Sequence, residues 1–295
     1  MPQETFVGRA IAGYRLTERV GEGGTAEVYR AEHPQHGVCA FKVLRPRLRG
    51  DPTAVERFLR EAGYGVRVRH PGVVRTYEFG EAESVYYLAL EWAEGTPLAT
   101  FLHHNAPLAP DRVVPVVRQL ADALAAAHRA GIIHRDLKPE NIMFDARTGT
   151  TKLLDFGIAR DAALPVEDRL TRTGFFVGTL QYVAPEALSG ELVDGRADIY
   201  SLATIAYYML TGRHPFSGRS PRELFQQLLT QDPIPLRAAA PDRRIPAALE
   251  AVVMQGLARD PSRRQPDVAT FAAEFCAAPP AGGGLLATIK HMMGR

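Results

Sequence analysis

Cysteine is almost missing from this chain: Cys39 and Cys276 are the only two in 295 residues. They lie too far apart for a metal-binding pair or a disulfide framework, which fits a reducing compartment such as the cytoplasm. Cys39 falls in an apolar, strand-like run and reads as a small core residue. No apolar run approaches the roughly 20 residues needed to span a bilayer. The first 15 residues lack the apolar stretch of a secretory leader. The net charge is only +2, so electrostatics does not point to nucleic acid as a partner. Internal repeats are absent too. What the chain does have is an ordinary 46% of hydrophobic residues, enough to bury a core.

The front of the chain alternates apolar and polar residues. The spacing predicts strands over 14–20, 26–32 and 38–44, then over 73–79 and 85–92. A helix interrupts them, with Asp51 as its cap and Pro52 in its first turn. Ala54, Val55, Phe58 and Leu59 form its apolar face. This helix carries Arg57 and Glu61 and is expected to end near Gly63 to Gly65. A glycine inside a helix costs about 0.8–1.0 kcal/mol against alanine. The alternative is a loosely held helix whose Lys42–Glu61 pair forms only in the active state. Glu94-Gly95-Thr96-Pro97 reads as a connector.

Behind it the periodicity turns helical, over 113–130 with Gly131 as a C-cap, 198–210, 247–258 and 268–277. Ser220-Pro221-Arg222-Glu223 is a capping-box signature for another helix. A strand-rich front and a helix-rich back imply an α+β chain of two lobes with a cleft between them. The N-lobe covers about 14–92 and the C-lobe about 93–277, within one domain over 1–277. A Pro/Gly linker and a short amphipathic tail occupy 278–295.

Gly21-Glu22-Gly23-Gly24-Thr25-Ala26-Glu27-Val28 lies between two strands. Such glycines let backbone N–H groups approach phosphate oxygens. Alone, the run is equally consistent with a plain hairpin turn. Lys42 one strand later would be a solvated lysine if isolated, and Glu61 an exposed helix charge. Their order changes the reading: paired, they would hold Lys42 against the α- and β-phosphates of a nucleotide. His134-Arg135-Asp136-Leu137-Lys138-Pro139-Glu140-Asn141 and Asp155-Phe156-Gly157 then supply carboxylate and amide oxygens, the donors that Mg²⁺ prefers.

With these motifs in place, the chain resembles the protein kinases, and more closely the bacterial eukaryotic-like Ser/Thr kinases. Ala184-Pro185-Glu186, Asp198 and Arg264 extend the resemblance, which runs from about residue 14 to 277. It implies a bilobal kinase fold that uses ATP with Mg²⁺, or Mn²⁺ in its place. The implied roles follow residue by residue. Asp136 orients the acceptor hydroxyl, Lys138 steadies the γ-phosphate, and Asn141 and Asp155 bind the metal. Gly21, Glu22, Gly23 and Gly24 cover the phosphates. Val28 and Ala40 cover the adenine, Leu90 is the gatekeeper, and Glu91 to Ala93 form the hinge. Thr179 shapes the acceptor site, and Glu186 pairs with Arg264. Ala26 stands where many kinases have a third glycine.

The resemblance also implies regulation. Thr171 and Thr173 are candidate autophosphorylation sites, with Arg57, Arg135 and Arg160 as receivers of the phosphate. Protein substrates with Ser or Thr acceptors are the expected partners, and similar bacterial kinases pair through their N-lobes. The expected location is cytoplasmic; the sequence does not decide between a soluble kinase and the kinase domain of a longer, membrane-tethered protein. A pseudokinase scaffold and a small-molecule phosphotransferase are the competing readings.

Overall fold

The computed structural model describes residues 5–155, 180–189 and 193–278. Six strands form an antiparallel sheet: β1 (Ala10–Ile11), β2 (Tyr14–Glu22), β3 (Ala26–His33), β4 (Gly37–Leu44), β5 (Thr76–Ala82) and β6 (Val85–Glu91), in the order β1-β2-β3-β4-β6-β5. Alternation gives this sheet two apolar faces. One buries Phe6, Ile11, Tyr14, Tyr29, Phe41 and Tyr87, with Cys39 fully buried among them. The other packs Leu44, Leu88 and Leu90 against Phe58 and Ala62 of helix α1 (Pro52–Arg67). The segment before Tyr14 joins the first face through Phe6 and β1.

Helix α1 starts as its sequence dictates. The Asp51 carboxylate accepts from Thr53 N at 2.9 Å and Ala54 N at 3.3 Å. It does not stop at Gly63 to Gly65, as the sequence suggested, but runs on to Arg67. Tertiary contacts hold the last turn: Arg67 Nη2 donates to the Ala130 carbonyl at 2.8 Å, and Val68 joins the C-lobe core. The strand expected over 73–79 is also displaced. Val73 and Val74 run beside Leu153 instead, with Leu153 N donating to Gly72 O at 2.8 Å and Val74 N to Leu153 O at 2.9 Å.

The C-lobe opens with elements that the periodicity did not show. Strands β7 (Thr96–Pro97), β8 (Ile142–Asp145) and β9 (Thr150–Leu153) form a small sheet. They are too short for alternation to be visible. Helix α2 (Leu98–Asn105) has only two turns, too few for the helical period to stand out. Helix α3 (Pro110–Arg129) begins earlier than the apolar pattern, with Pro110 in its first turn.

Helix α4 (Pro185–Ser189) precedes α5 (Arg196–Thr211), which is buried all round, as its continuous apolar sequence requires, and ends on Gly212 at φ 68°. Helices α6 (Pro221–Thr230), α7 (Leu236–Ala239), α8 (Ala247–Gly256) and α9 (Val268–Ala277) complete the lobe. Ser220 caps α6 by accepting from Glu223 N at 3.2 Å. Among the described residues, no helix is long and apolar enough to cross a membrane.

Candidate active site

The strand register groups the residues expected on the nucleotide side. Val28 lies opposite Lys42, and Lys42 opposite Leu88; Ala40 lies opposite Leu90. Directly paired residues share a sheet face. Val28, Ala40, Lys42 and Leu90 therefore line one surface, looking toward α1 and the C-lobe. Gly21 and Glu22 end β2, and Gly23 N closes the turn on Ala26 O at 2.8 Å. Arg47 Nη2 donates to Gly24 O at 2.7 Å, and Arg45 N to Thr25 O at 3.0 Å. The Glu22 carboxylate pairs with Arg19 and Arg45. Its side chain thus ties the turn to the neighbouring arginines.

Lys42 makes an ion pair with Asp155, 113 positions away in sequence, and lies 4.0 Å from Glu61. Burial disfavours charge on Lys42, but Asp155 and Glu61 outweigh it and raise its pKa. Asp155 is lowered: burial opposes ionisation, and Lys42 overcomes it. Glu61 is pushed up to about 7, first by burial and then by the charge of Asp155. The three groups make a cluster in which one ammonium serves two carboxylates and prefers Asp155.

The catalytic-loop residues converge from the C-lobe. Asn141 Nδ2 donates to both the Asp136 carbonyl at 2.8 Å and Asp136 Oδ2 at 2.9 Å. Lys138 Nζ lies 2.9 Å from the same Oδ2. Asn141 O accepts from Leu154 N at 2.9 Å, which ties the loop to the residue before Asp155. The loop is held from beneath by Asp198 of α5, whose carboxylate is fully buried. It accepts from His134 N at 2.9 Å and Arg135 N at 3.0 Å, and lies 2.7 Å from His128 Nε2. Arg135 takes φ 61° there, a region costly for a side-chain-bearing residue. Burial alone would raise Asp198, but the His128 hydrogen bond and the neighbouring groups keep it below its ordinary value.

His128 is a positioning residue that the sequence reading missed. It sits in the last turn of an amphipathic helix, and nothing local distinguishes it from a surface histidine. Glu186 and Arg264 meet as the sequence suggested, through two parallel bonds of 2.7 and 2.8 Å. Arg264 also donates to the carbonyls of Ala258, Arg196 and Arg259, and its guanidinium carbon lies 5.0 Å from the ring centroid of Tyr200.

The hinge follows β6. Glu91 N donates to Arg75 O at 2.8 Å, and Arg75 N to Glu91 Oε2 at 3.2 Å. Glu91 also pairs with Lys152 of β9. Gly95 adopts φ 97°, and an added Cβ would overlap the Phe144 carbonyl. Glycine is therefore required where the connector presses on β8. Ala93 packs at the edge of the cluster that holds Leu90.

Arg57 of α1 is half-buried and Arg135 is exposed. Phe156, Gly157, Arg160, Thr171, Thr173 and Thr179 lie outside the described residues, as does the tail over 279–295.

Comparison with known proteins agrees with this fold. The model of the family described as "Protein kinase domain" matches residues 14–275. Serine/threonine-protein kinase PknB of Mycobacterium tuberculosis is 40% identical over 267 residues, covering 89% of this chain and 42% of that protein. Serine/threonine-protein kinase pkn3 of Myxococcus xanthus is 39% identical over 279 residues, covering 92% of this chain and 51% of that protein. The chain thus spans about half, or less, of these relatives' length. The crystal structure of the Mycobacterium tuberculosis PknI kinase domain superposes with a TM-score of 0.71 at 30% identity, covering 92% of this chain and 98% of that one. A structure of Rad53 1-466 in complex with AMP-PNP gives a TM-score of 0.72 at 28% identity, covering 89% of this chain and 65% of that one.

Proposed function

The chain belongs to the protein kinase domain family, and on that premise we propose that it moves the γ-phosphate of ATP onto Ser or Thr hydroxyls of proteins. One observation carries the reading. Lys42 pairs with Asp155 beside Glu61, Asn141 holds Asp136 within their own loop, and the backbone bond from Leu154 N to Asn141 O brings that loop next to Asp155. Phosphoryl transfer asks little covalent chemistry of a protein; it needs positioning and neutralisation of spreading negative charge.

In this reading Asp136 receives or orients the proton of the acceptor hydroxyl, and Lys138, at its side, steadies the γ-phosphate. Lys42 reaches the α- and β-phosphates, with Glu61 behind it. Gly21, Glu22, Gly23 and Gly24 offer backbone N–H groups to the phosphates. Val28 and Ala40 cover the adenine, beside Leu90, and Glu91 and Ala93 meet its edge through their backbone.

The donor set suits Mg²⁺. The Asn141 amide nitrogen is taken by Asp136, which leaves the amide oxygen for a cation. With the Asp155 carboxylate this gives two hard oxygen donors, and Mg²⁺ characteristically fills the rest of its shell with phosphate oxygens and water. Bound there, Mg²⁺ or Mn²⁺ neutralises charge developing on the phosphates.

Regulation is proposed to run through Thr171 and Thr173, with Arg57, Arg135 and Arg160 as the receiving cations and Thr179 shaping the acceptor site. Pairing of two chains through their N-lobes rests on the resemblance alone. The test is phosphosite mapping after incubation with Mg-ATP, comparing wild type with Asp136→Asn. Phosphate on Thr171 or Thr173 and on Ser/Thr of an added protein is expected in the wild type and absent from the variant. Nucleotide binding without turnover by the wild type would overturn the kinase reading in favour of a scaffold.

A further inference from the structure

Lysine is scarce in this chain: of its 35 Lys and Arg residues, only Lys42, Lys138, Lys152 and Lys290 are lysine. Lys42 and Lys138 belong to the active-site cluster. Lys152 does not. It lies on β9, in the C-lobe, and its ammonium crosses to the carboxylate of Glu91, the N-lobe residue at the start of the hinge. Both side chains are less than a third exposed, Lys152 at 29% and Glu91 at 28%, so salt screens the pair less than it would a surface pair.

Glu91 is held on three sides. Its Oε1 takes Lys152, its Oε2 accepts from Arg75 N, and its own N–H donates to Arg75 O. Arg75 is anchored in turn. Its guanidinium lies 5.6 Å from the ring centroid of Tyr77, and Tyr77 stacks on His36 at 4.3 Å with the rings 3° from parallel. The column continues through His33 at 4.8 Å to Tyr14 at 4.3 Å, and Tyr14 is fully buried in the sheet. On the other side, Gly72 and Val74 are hydrogen-bonded to Leu153, the residue after Lys152. The N-lobe stretch 72–75 is therefore fixed to β9 by backbone at one end and, through Glu91, by a charge pair at the other.

We infer that Lys152 and Glu91 form an interlobe clasp behind the hinge, and that this clasp positions the Glu91–Ala93 backbone against the nucleotide base. This rests on the proposed nucleotide site. The two side chains are engaged with each other and with Arg75 N, so both act through the hinge backbone. Releasing the clasp leaves Asp136, Asn141 and Asp155 in place but frees the hinge to rock about the Gly72–Leu153 contact. The cost therefore falls on nucleotide affinity and not on the transfer step.

The experiment compares wild type, Lys152→Met, Glu91→Gln and the double variant by titration with fluorescent mant-ADP, by KM for ATP and kcat, and by thermal unfolding. Each single variant is expected to weaken mant-ADP binding and raise KM for ATP about three- to fivefold with kcat unchanged. The double variant should be no weaker than the worse single one, as for two ends of one contact. Additive losses, or a lowered Tm with unaltered mant-ADP affinity, would overturn the clasp. If the wild type binds mant-ADP but transfers no phosphate, the function proposal fails, and the binding arm still decides the clasp.

Discussion

Half-buried beside Lys42, Glu61 meets two opposing influences. Burial and the charges of Asp155 and Asp136 push its carboxyl up to about 7, while Lys42 pulls it down. Its folded pKa is raised above the ordinary 4.5. Its contribution to stability is thus fully present below pH 4.5 and is lost as pH rises through about 7. Over the same window the ionised form needed to hold Lys42 appears. In the ligand-free protein, carbon-detected NMR should show Glu61 titrating near 7. Asp155→Asn removes a repelling carboxylate and releases Lys42 toward Glu61, so the midpoint should drop. A midpoint that does not move on that substitution would contradict the cluster described here.

Helix α1 carries Glu61, and its two interior glycines are not equivalent. Nothing lies within 4 Å of a Cβ placed on Gly63, whereas one on Gly65 would overlap Thr76 Oγ1 of β5. Thr76 is buried and β-branched, so it has little freedom to turn away. Gly63→Ala should therefore stabilise the protein by about 0.8–1.0 kcal/mol through helix propensity alone. Gly65→Ala should destabilise it, and adding Thr76→Ala should relieve that loss. Urea unfolding of the three variants checks the order. The sequence flagged both glycines as places where the helix stops, because propensity is a local quantity. It could not show that Gly65 is the point where α1 closes on β5, nor that Arg67 would tie the last turn to the other lobe.

At the scale of the whole molecule, the Glu186–Arg264 pair joins α4 to the far end of the C-lobe. Both side chains are almost fully buried, Glu186 at 5% and Arg264 at 3% exposure. Arg264→Ala leaves a carboxylate buried without its partner and should cost about 3–5 kcal/mol. Replacing both with apolar residues, as in Glu186→Leu with Arg264→Met, should cost less than Arg264→Ala alone. Equilibrium denaturation of the single and double variants decides. Equal losses would mean that the pair's charge is not what the interior is built around.

The sequence by itself determined strands β2, β3, β4 and β6, the long helices with their caps at Asp51 and Ser220, and a candidate role for Lys42, Glu61, Asp136, Lys138 and Asn141. Those features rest on alternation, helical period and short ordered motifs, all readable within a few residues. It did not show β7 to β9 or α2, which are too short for a period to emerge. It gave no sign of His128 beneath the catalytic loop or of Lys152 behind the hinge. Only the tertiary structure decided that Lys42 prefers Asp155 to Glu61, that Asp198 holds Arg135 at φ 61°, and that Glu91 is shared between the lobes. Each of these joins residues more than 15 positions apart. Such contacts are set by how the packed elements meet and by which charges burial leaves without water, and no local preference of the chain encodes that.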